Sequence, residues 1–335
     1  MKQRVLSGIQ PSGQLTIGNY LGALRHWVRV SQDFDCHFTI VDLHAITVPQ
    51  DPAGLREGTR EITALFLAAG IDPQHSVVFA QSHVGAHSEL AWLLTCMTPL
   101  GWLHRMTQFK DKVGREQMES VGAGLLNYPV LMAGDILLYQ AHAVPVGEDQ
   151  RQHLEFTRDL AQRFNHRYGP TFRIPTFFPA RTGAKIMGLD DPTKKMSKSE
   201  ESDHHALLLL DPPDLVAQKI KRAVTDNFRE IRFSDDPERA GVNNLLTLYQ
   251  AFTDEESETV EARFDGKGYG ELKREVAEVI NENLAPLQAR YREMVSDRAY
   301  IDEVLRDGAQ RASAIADATL ADVKQKIGLL APAAK

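Results

Sequence analysis

Arg4-Val5-Leu6-Ser7-Gly8-Ile9-Gln10-Pro11-Ser12-Gly13, followed closely by Thr16-Ile17-Gly18-Asn19-Tyr20, is the stretch that decides the fold. Arg4 to Ser7 reads as the first strand of a parallel sheet, and Gly8 to Gly13 reads as a tight loop. From Thr16 onward, Ile17, Tyr20, Leu21, Leu24 and Val28 recur at helical spacing, so a helix opens there. A loop between strand and helix aims free backbone N–H groups at a crevice where phosphate is welcome. No Gly-Lys-Ser/Thr follows, so this is not a Walker loop. Gly-x-Gly-x-x-Gly is missing too, so it is not the dinucleotide fingerprint.

A second element, Lys195-Met196-Ser197-Lys198-Ser199, places two lysines and two serines around one methionine. Such a loop brings two ammonium groups and several donors onto a triphosphate. Between the two elements the chain alternates strand and helix. Phe38 to Val41 and Val77 to Ala80 read as buried strands, and residues 53–69 and 86–97 as helices. Lys110 to Gly124 reads as a mobile loop, and Tyr128-Pro129 as the start of another helix. The alternation predicts an α/β fold with a doubly wound parallel sheet. Beyond Ser199 the strand signals fade, and residues 213–225, 243–252, 254–264 and 269–329 read as helices. The expected division is a Rossmann-like domain over 1–190 and a smaller α-helical domain over 191–335.

With 335 residues, 43 % apolar and 25 % charged, the chain has the balance of a globular protein with ample core. The net charge of −7 argues against broad nonspecific binding to nucleic acid, so any such partner must meet local basic patches. Cys36 and Cys96 are far apart in apolar surroundings and read as buried free thiols of a reducing cytoplasm. No apolar run reaches membrane-spanning length, and Met1 to Arg4 runs directly into a strand rather than a signal peptide.

One helix face carries a specificity signal. Tyr128, Met132, Asp135, Ile136 and Tyr139 recur at three- and four-residue steps. The face is apolar apart from Asp135, and a carboxylate there costs free energy unless it is paired. Its partner is either a group elsewhere in the fold, such as an arginine, or a donor on a ligand. His44 lies just past a strand end, where it either lines a pocket or packs in the core. His83 and His87 have metal-compatible spacing, but no cysteine or carboxylate set accompanies them, and coincidence is the better reading.

Taken together, Gly8-Ile9-Gln10-Pro11-Ser12-Gly13, Thr16-Ile17-Gly18-Asn19-Tyr20, Val144-Pro145-Val146-Gly147-Glu148-Asp149-Gln150 and Asp191-Pro192-Thr193-Lys194-Lys195-Met196-Ser197-Lys198-Ser199 resemble the class I aminoacyl-tRNA synthetase family, in its bacterial tryptophanyl branch. The match runs over nearly the whole chain. Thr16 and Asn19 stand where the family's first signature has two histidines.

The resemblance implies the reaction and its residues. Tryptophan and ATP, entering with Mg²⁺, would give tryptophanyl-adenylate, and the tryptophan would pass to tRNA(Trp). Charge builds on phosphorus and the leaving group, so cations and donors are the main need. Lys195, Lys198, Thr16, Asn19 and Lys112 are the implied catalytic set. Gln10, Pro11, Ser12, Gly18, Asn19, Gly147, Glu148, Asp149 and Ile186 would bind ATP, with Lys195, Met196, Ser197, Lys198 and Ser199. Asp135 would accept the indole N–H. Tyr128, Met132, Ile136, Val144, Val146 and Gln150 would complete the tryptophan pocket. No protein-held metal is implied. A homodimer is, with Leu90-Ala91-Trp92-Leu93-Leu94 as a candidate surface. Lys219, Lys221, Arg222, Arg229 and Arg232 mark the start of the expected tRNA-reading region. Competing readings are a tyrosyl enzyme of the same fold, a nonenzymatic tRNA-binding relative, and another nucleotidyltransferase. The long helical region after Ser199 is unneeded in the last.

Overall fold

The structure, a computed structural model, describes residues 2–11, 15–113, 122–147, 150–178, 185–197, 202–228 and 230–331, without the side chains of 111–113. The chain forms two compact units. The first comprises Met1–Ser12, Arg29–Ala180 and Asp297–Lys335, and the second Gly13–Val28 and Arg181–Ser296.

The first unit is built on a five-stranded parallel sheet: β1 (Arg4–Ile9), β2 (Asp35–Ile40), β3 (Val77–Ala80), β4 (Ala143–Val144) and β5 (Thr176–Phe177). The strand order is β3-β2-β1-β4-β5. The order reverses beside β1, and that reversal point is where open parallel sheets bind ligands. β1 runs two residues further than its sequence suggests, so Gly8 and Ile9 belong to the strand, opposite Thr39 and Ile40. All of β3 is buried, which explains its unbroken apolar run, because helices cover both faces of such a sheet. β5 has no comparable apolar signal and is absent from the sequence reading.

Helix ends follow local chemistry. In helix Pro52–Ala69 the Asp51 carboxylate accepts from the Gly54 N–H at 2.6 Å, and Gly70 closes the helix at φ 108°. Two expectations need correction. The stretch Lys110 to Gly124, read as a loop, has its first residues inside the helix Thr107–Val113 and its last two inside the next helix. The next helix spans Ala123–Leu138, so Pro129 is interior instead of opening it. An interior proline gives up one hydrogen bond at a cost of ~3 kcal/mol. Burial of Leu125, Pro129, Val130 and Ala133 on that helix offsets the loss.

The division at residue 190 is also not the one that compactness gives. Asp297 interrupts the long C-terminal helical run, its carboxylate accepting from the Tyr300 N–H at 3.0 Å. The following helix, Arg298–Ile327, returns to the first unit and buries Ala309, Ala312, Ala316, Leu320 and Val323 in its core. Gly308 permits the approach: a Cβ there would lie 1.7 Å from the Val78 carbonyl oxygen on β3. A charge pattern alone does not reveal which sheet such a helix will meet.

In the second unit, residues Ile17–Asn19 open a helix that widens into a π turn over Tyr20–Leu24. Helices Pro213–Arg222, Ala240–Thr253, Ser257–Phe264 and Tyr269–Ser296 follow and bury Val216, Ile220, Leu245, Phe264, Val276 and Ile280. Lys219 is 5 % exposed, so it is no surface cation. Its ammonium donates to Asp211 at 2.7 Å and to the Ala206 carbonyl at 2.9 Å. Cys36 is buried and its thiol is pushed up to about 12 by burial, whereas Cys96, expected to be buried, is exposed beyond the helix Ala86–Thr95. Among the described residues no helix is long and apolar enough to cross a membrane.

Candidate active site

In the first unit Asp135 is 4 % exposed, and the group that pairs it is not an arginine. Its Oδ2 lies 2.7 Å from His44 Nε2. Its Oδ1 accepts from Gln81 Nε2 at 2.7 Å and lies 2.7 Å from His87 Nδ1. His87 Nε2 is in turn 2.8 Å from the Tyr139 hydroxyl. His87 donates from Nδ1 to the carboxylate, since an ionised carboxylate only accepts. Burial pushes the Asp135 pKa up, but the hydrogen bonds from His44 and His87 outweigh it and hold the carboxyl well below the usual range. Asp135 is therefore a fixed, ionised acceptor in an apolar wall.

That wall comes from several elements. Met132 and Val146 are half-buried against the core, while Ile136 and Val144 are sealed within it. The Tyr128 hydroxyl donates to Gln108 Oε1 at 2.5 Å and lies 2.7 Å from His153 Nε2, and burial pushes its pKa up. His44 packs edge-on to the Tyr128 ring, so it lines the same region. Gln10 is exposed and Pro11 buried at the end of β1; Gly147 is exposed and Gln150 half-buried beyond β4. Ser12, Glu148, Asp149, Lys198 and Ser199 lie outside the described residues, as does the side chain of Lys112.

In the second unit Thr16 and Asn19 form a reciprocal cap. The Asn19 N–H donates to Thr16 Oγ1 at 3.2 Å, and the Thr16 N–H donates to Asn19 Oδ1 at 3.0 Å. Thr16 is 3 % exposed, whereas Asn19 is exposed, which leaves its NH₂ group the outward donor of the pair. Gly18 faces Ile186 and Met196: a Cβ on it would sit 3.8 and 3.9 Å from theirs. Any larger side chain would fill that space. Ile186 and Met196 belong to facing arms of a short hairpin. The Met196 N–H donates to the Ile186 carbonyl at 3.0 Å, and Met187 bridges Lys195 antiparallel. Asn244 grips Met187 on both sides, accepting from its N–H at 2.9 Å and donating to its carbonyl at 2.9 Å. Lys195 is exposed on this hairpin.

Gln81, His87 and Asn244 carry no role in the sequence reading. For His87 a signal existed: a polar residue on an apolar helix face, set aside as half of a coincidental histidine pair. Gln81 and Asn244 have none, because each acts on a residue more than fifty positions away.

A five-stranded sheet with a buried carboxylate, a glycine facing two apolar side chains, and a lysine-bearing hairpin form a recognisable set. The family described as class I tRNA synthetases for tryptophan and tyrosine matches residues 1–285. The tryptophan–tRNA ligase of Clostridium tetani is 51 % identical over 98 % of this chain and 96 % of its own length. That of a Nostoc species is 53 % identical over 99 % of each. Among solved structures, tryptophanyl-tRNA synthetase from Mycoplasma pneumoniae superposes with a TM-score of 0.91 at 38 % identity, covering 98 % of this chain and 99 % of that one. The Campylobacter jejuni enzyme, complexed with ADP and tryptophan, gives 0.84 at 35 % identity, covering 98 % and 100 %. The chain thus belongs to the class I aminoacyl-tRNA synthetases, in their tryptophan–tRNA ligase branch.

Proposed function

We propose that this tryptophan–tRNA ligase divides its chemistry as follows. Asp135 accepts the indole N–H of tryptophan, with Met132, Ile136, Val144 and Val146 against the ring. Tyr128 and Gln150 hold the substrate's ammonium end, and Gln10 its carboxylate or a phosphate oxygen. The observation that carries this reading is the sealed, ionised Asp135: among the described residues its Oδ1 takes donors from Gln81 and His87 but its Oδ2 only one, from His44, which leaves Oδ2 a lone pair for the indole N–H. Phenylalanine would bring no donor to that carboxylate, and a site built around a substrate N–H rejects such an analogue by roughly 10⁴–10⁵.

Gly18, Ile186 and Met196, which lie side by side, are assigned to the adenine, and Gly147, Glu148 and Asp149 to the ribose. Pro11, Ser12, Ser197 and Ser199 complete the nucleotide contacts. Lys195, Lys198 and Lys112, with Thr16 and Asn19, stabilise the charge that develops as the tryptophan carboxylate attacks the α-phosphorus and pyrophosphate leaves. Among the described residues no three His, Cys, Asp or Glu side chains are grouped to hold a metal. Mg²⁺ is assigned to the triphosphate oxygens, where it would neutralise charge.

The exposed Lys221, Arg222 and Arg232 suit contacts to tRNA phosphates, as would Arg229, which lies outside the described residues. Of Leu90–Leu94, the residues Leu90, Ala91 and Leu94 are buried in the core and offer no surface, so we assign the homodimer contact to Trp92, 66 % exposed. We assign the enzyme to the cytoplasm, a compartment that supplies both ATP and tRNA. The decisive experiment is tryptophan-, tyrosine- and phenylalanine-dependent ATP–pyrophosphate exchange on the wild type and Asp135→Asn. Exchange with tryptophan alone, lost in the variant, is expected. Retention of full tryptophan exchange by Asp135→Asn would remove Asp135 from the pocket.

A further inference from the structure

His205 lies beneath the arm of the hairpin that carries Lys195. Its Nδ1 is 2.6 Å from Asp190 Oδ1, and its Nε2 is 3.3 Å from the Lys195 carbonyl oxygen. Gly188 on the opposite arm yields the space for the ring, since a Cβ there would lie 2.1 Å from the imidazole Cε1. The main chain fixes His205 as well. Its N–H donates to the Ser202 carbonyl at 3.0 Å, and its carbonyl accepts from the Leu189 N–H at 3.0 Å. The residue is 2 % exposed, so the ring is enclosed where it stands.

Both groups that the ring meets are acceptors. A carbonyl oxygen only accepts, and so does an ionised carboxylate. Burial pushes Asp190 up, but hydrogen bonds from Ser202 and His205 hold it below the usual range, so it is ionised at neutral pH. A neutral imidazole has one N–H and satisfies one of the two oxygens, turning a lone pair on the other. Only the imidazolium donates to both.

We infer that His205 is a positioning residue for adenylate formation: its imidazolium, braced by Asp190, clamps the Lys195 carbonyl and so fixes the arm from which Lys195 meets ATP. The inference rests on the assignment of Lys195 to ATP made above. Other charged groups nearby are already engaged. Lys194 and Asp191 pair at 3.8 Å in the turn, His204 meets Arg222, and Lys219 pairs Asp211 while donating to Ala206. Asn244 holds the other arm through neutral bonds, which pH does not change.

The test measures KM for ATP and for tryptophan in pyrophosphate exchange. The full-length wild type, His205→Gln and His205→Leu are compared. Glutamine retains an uncharged donor in place of the imidazolium. KM for ATP is expected to rise roughly five- to tenfold in His205→Gln, the worth of one charge-assisted hydrogen bond. It should rise further in His205→Leu, so that glutamine restores part of the loss. KM for tryptophan should stay at the wild-type value in both. An unchanged KM for ATP in His205→Gln would overturn the inference, as would an equal change in KM for tryptophan. Lys195→Ala separates the two failures. If it leaves exchange intact, the assignment of Lys195 fails and the inference with it. If it impairs exchange while KM for ATP is unchanged in His205→Gln, only the role of His205 fails. The glutamine comparison stands even if the leucine variant does not fold.

Discussion

The Asp135 wall and the Lys195 hairpin solve opposite problems. Asp135 is enclosed, and Gln81, His44 and His87 satisfy it before any substrate arrives. Lys195 is exposed, and its strand is held by a few main-chain bonds, by Asn244 and by His205. Discrimination between amino acids calls for the first arrangement, because a carboxylate that cannot relax makes the wrong ligand costly. Transfer at phosphorus calls for cations preorganised where charge develops yet open to the nucleotide, which an exposed lysine on a braced hairpin would provide. The first arrangement is rigid and buried, the second braced but open to solvent.

Breaking the wall should have the largest effect. Asp135→Ala leaves the donors of His44, Gln81 and His87 facing a void as well as removing the indole acceptor. We expect kcat/KM for tryptophan to fall by roughly 10³ or more. Circular dichroism and KM for ATP identify a folding defect, which would move both. Lys198→Ala comes next, with exchange slowed by roughly 10²–10³, the usual loss from removing one transition-state donor. Single-turnover adenylate formation checks it, and an unchanged rate would strike Lys198 from the catalytic set.

His87→Leu sharpens the contrast at smaller amplitude. It should weaken tryptophan by about tenfold, as one donor to a buried carboxylate disappears. Inhibition by the benzothiophene analogue, which has sulfur in place of the indole N–H, should move little. Equal losses for both compounds would mean that His87 only packs. The smallest effect should come from Thr16→Ala, which removes the cap partner of Asn19. About 1 kcal/mol of stability is at stake, read as a drop in Tm. A much larger loss of exchange than of Tm would show that the cap also orients Asn19 toward ATP.

Much of this was legible in the residues themselves. The strand–loop–helix at Arg4 to Tyr20, the strand at Val77 to Ala80 and the helix at Pro52–Ala69 each carry a local signal of periodicity or capping. Asp135 stood out because a carboxylate on an apolar face demands a partner. Two boundaries were misread because local signals do not fix where an element begins or breaks. Pro129 does not start its helix, and the run from 269 to 329 is two helices that serve different units.

The sequence alone determined the alternation of elements, the signature residues and the oddity of Asp135, since each depends on neighbours within a few turns of chain. Only the tertiary structure decided that Gln81 and His87 would satisfy Asp135, that Asn244 and His205 would hold the hairpin, and that the last helix would lie on β3. Those contacts join residues far apart in sequence. Hydrogen bonds are short and directional, so no spacing along the chain encodes them until packing brings donor and acceptor within reach.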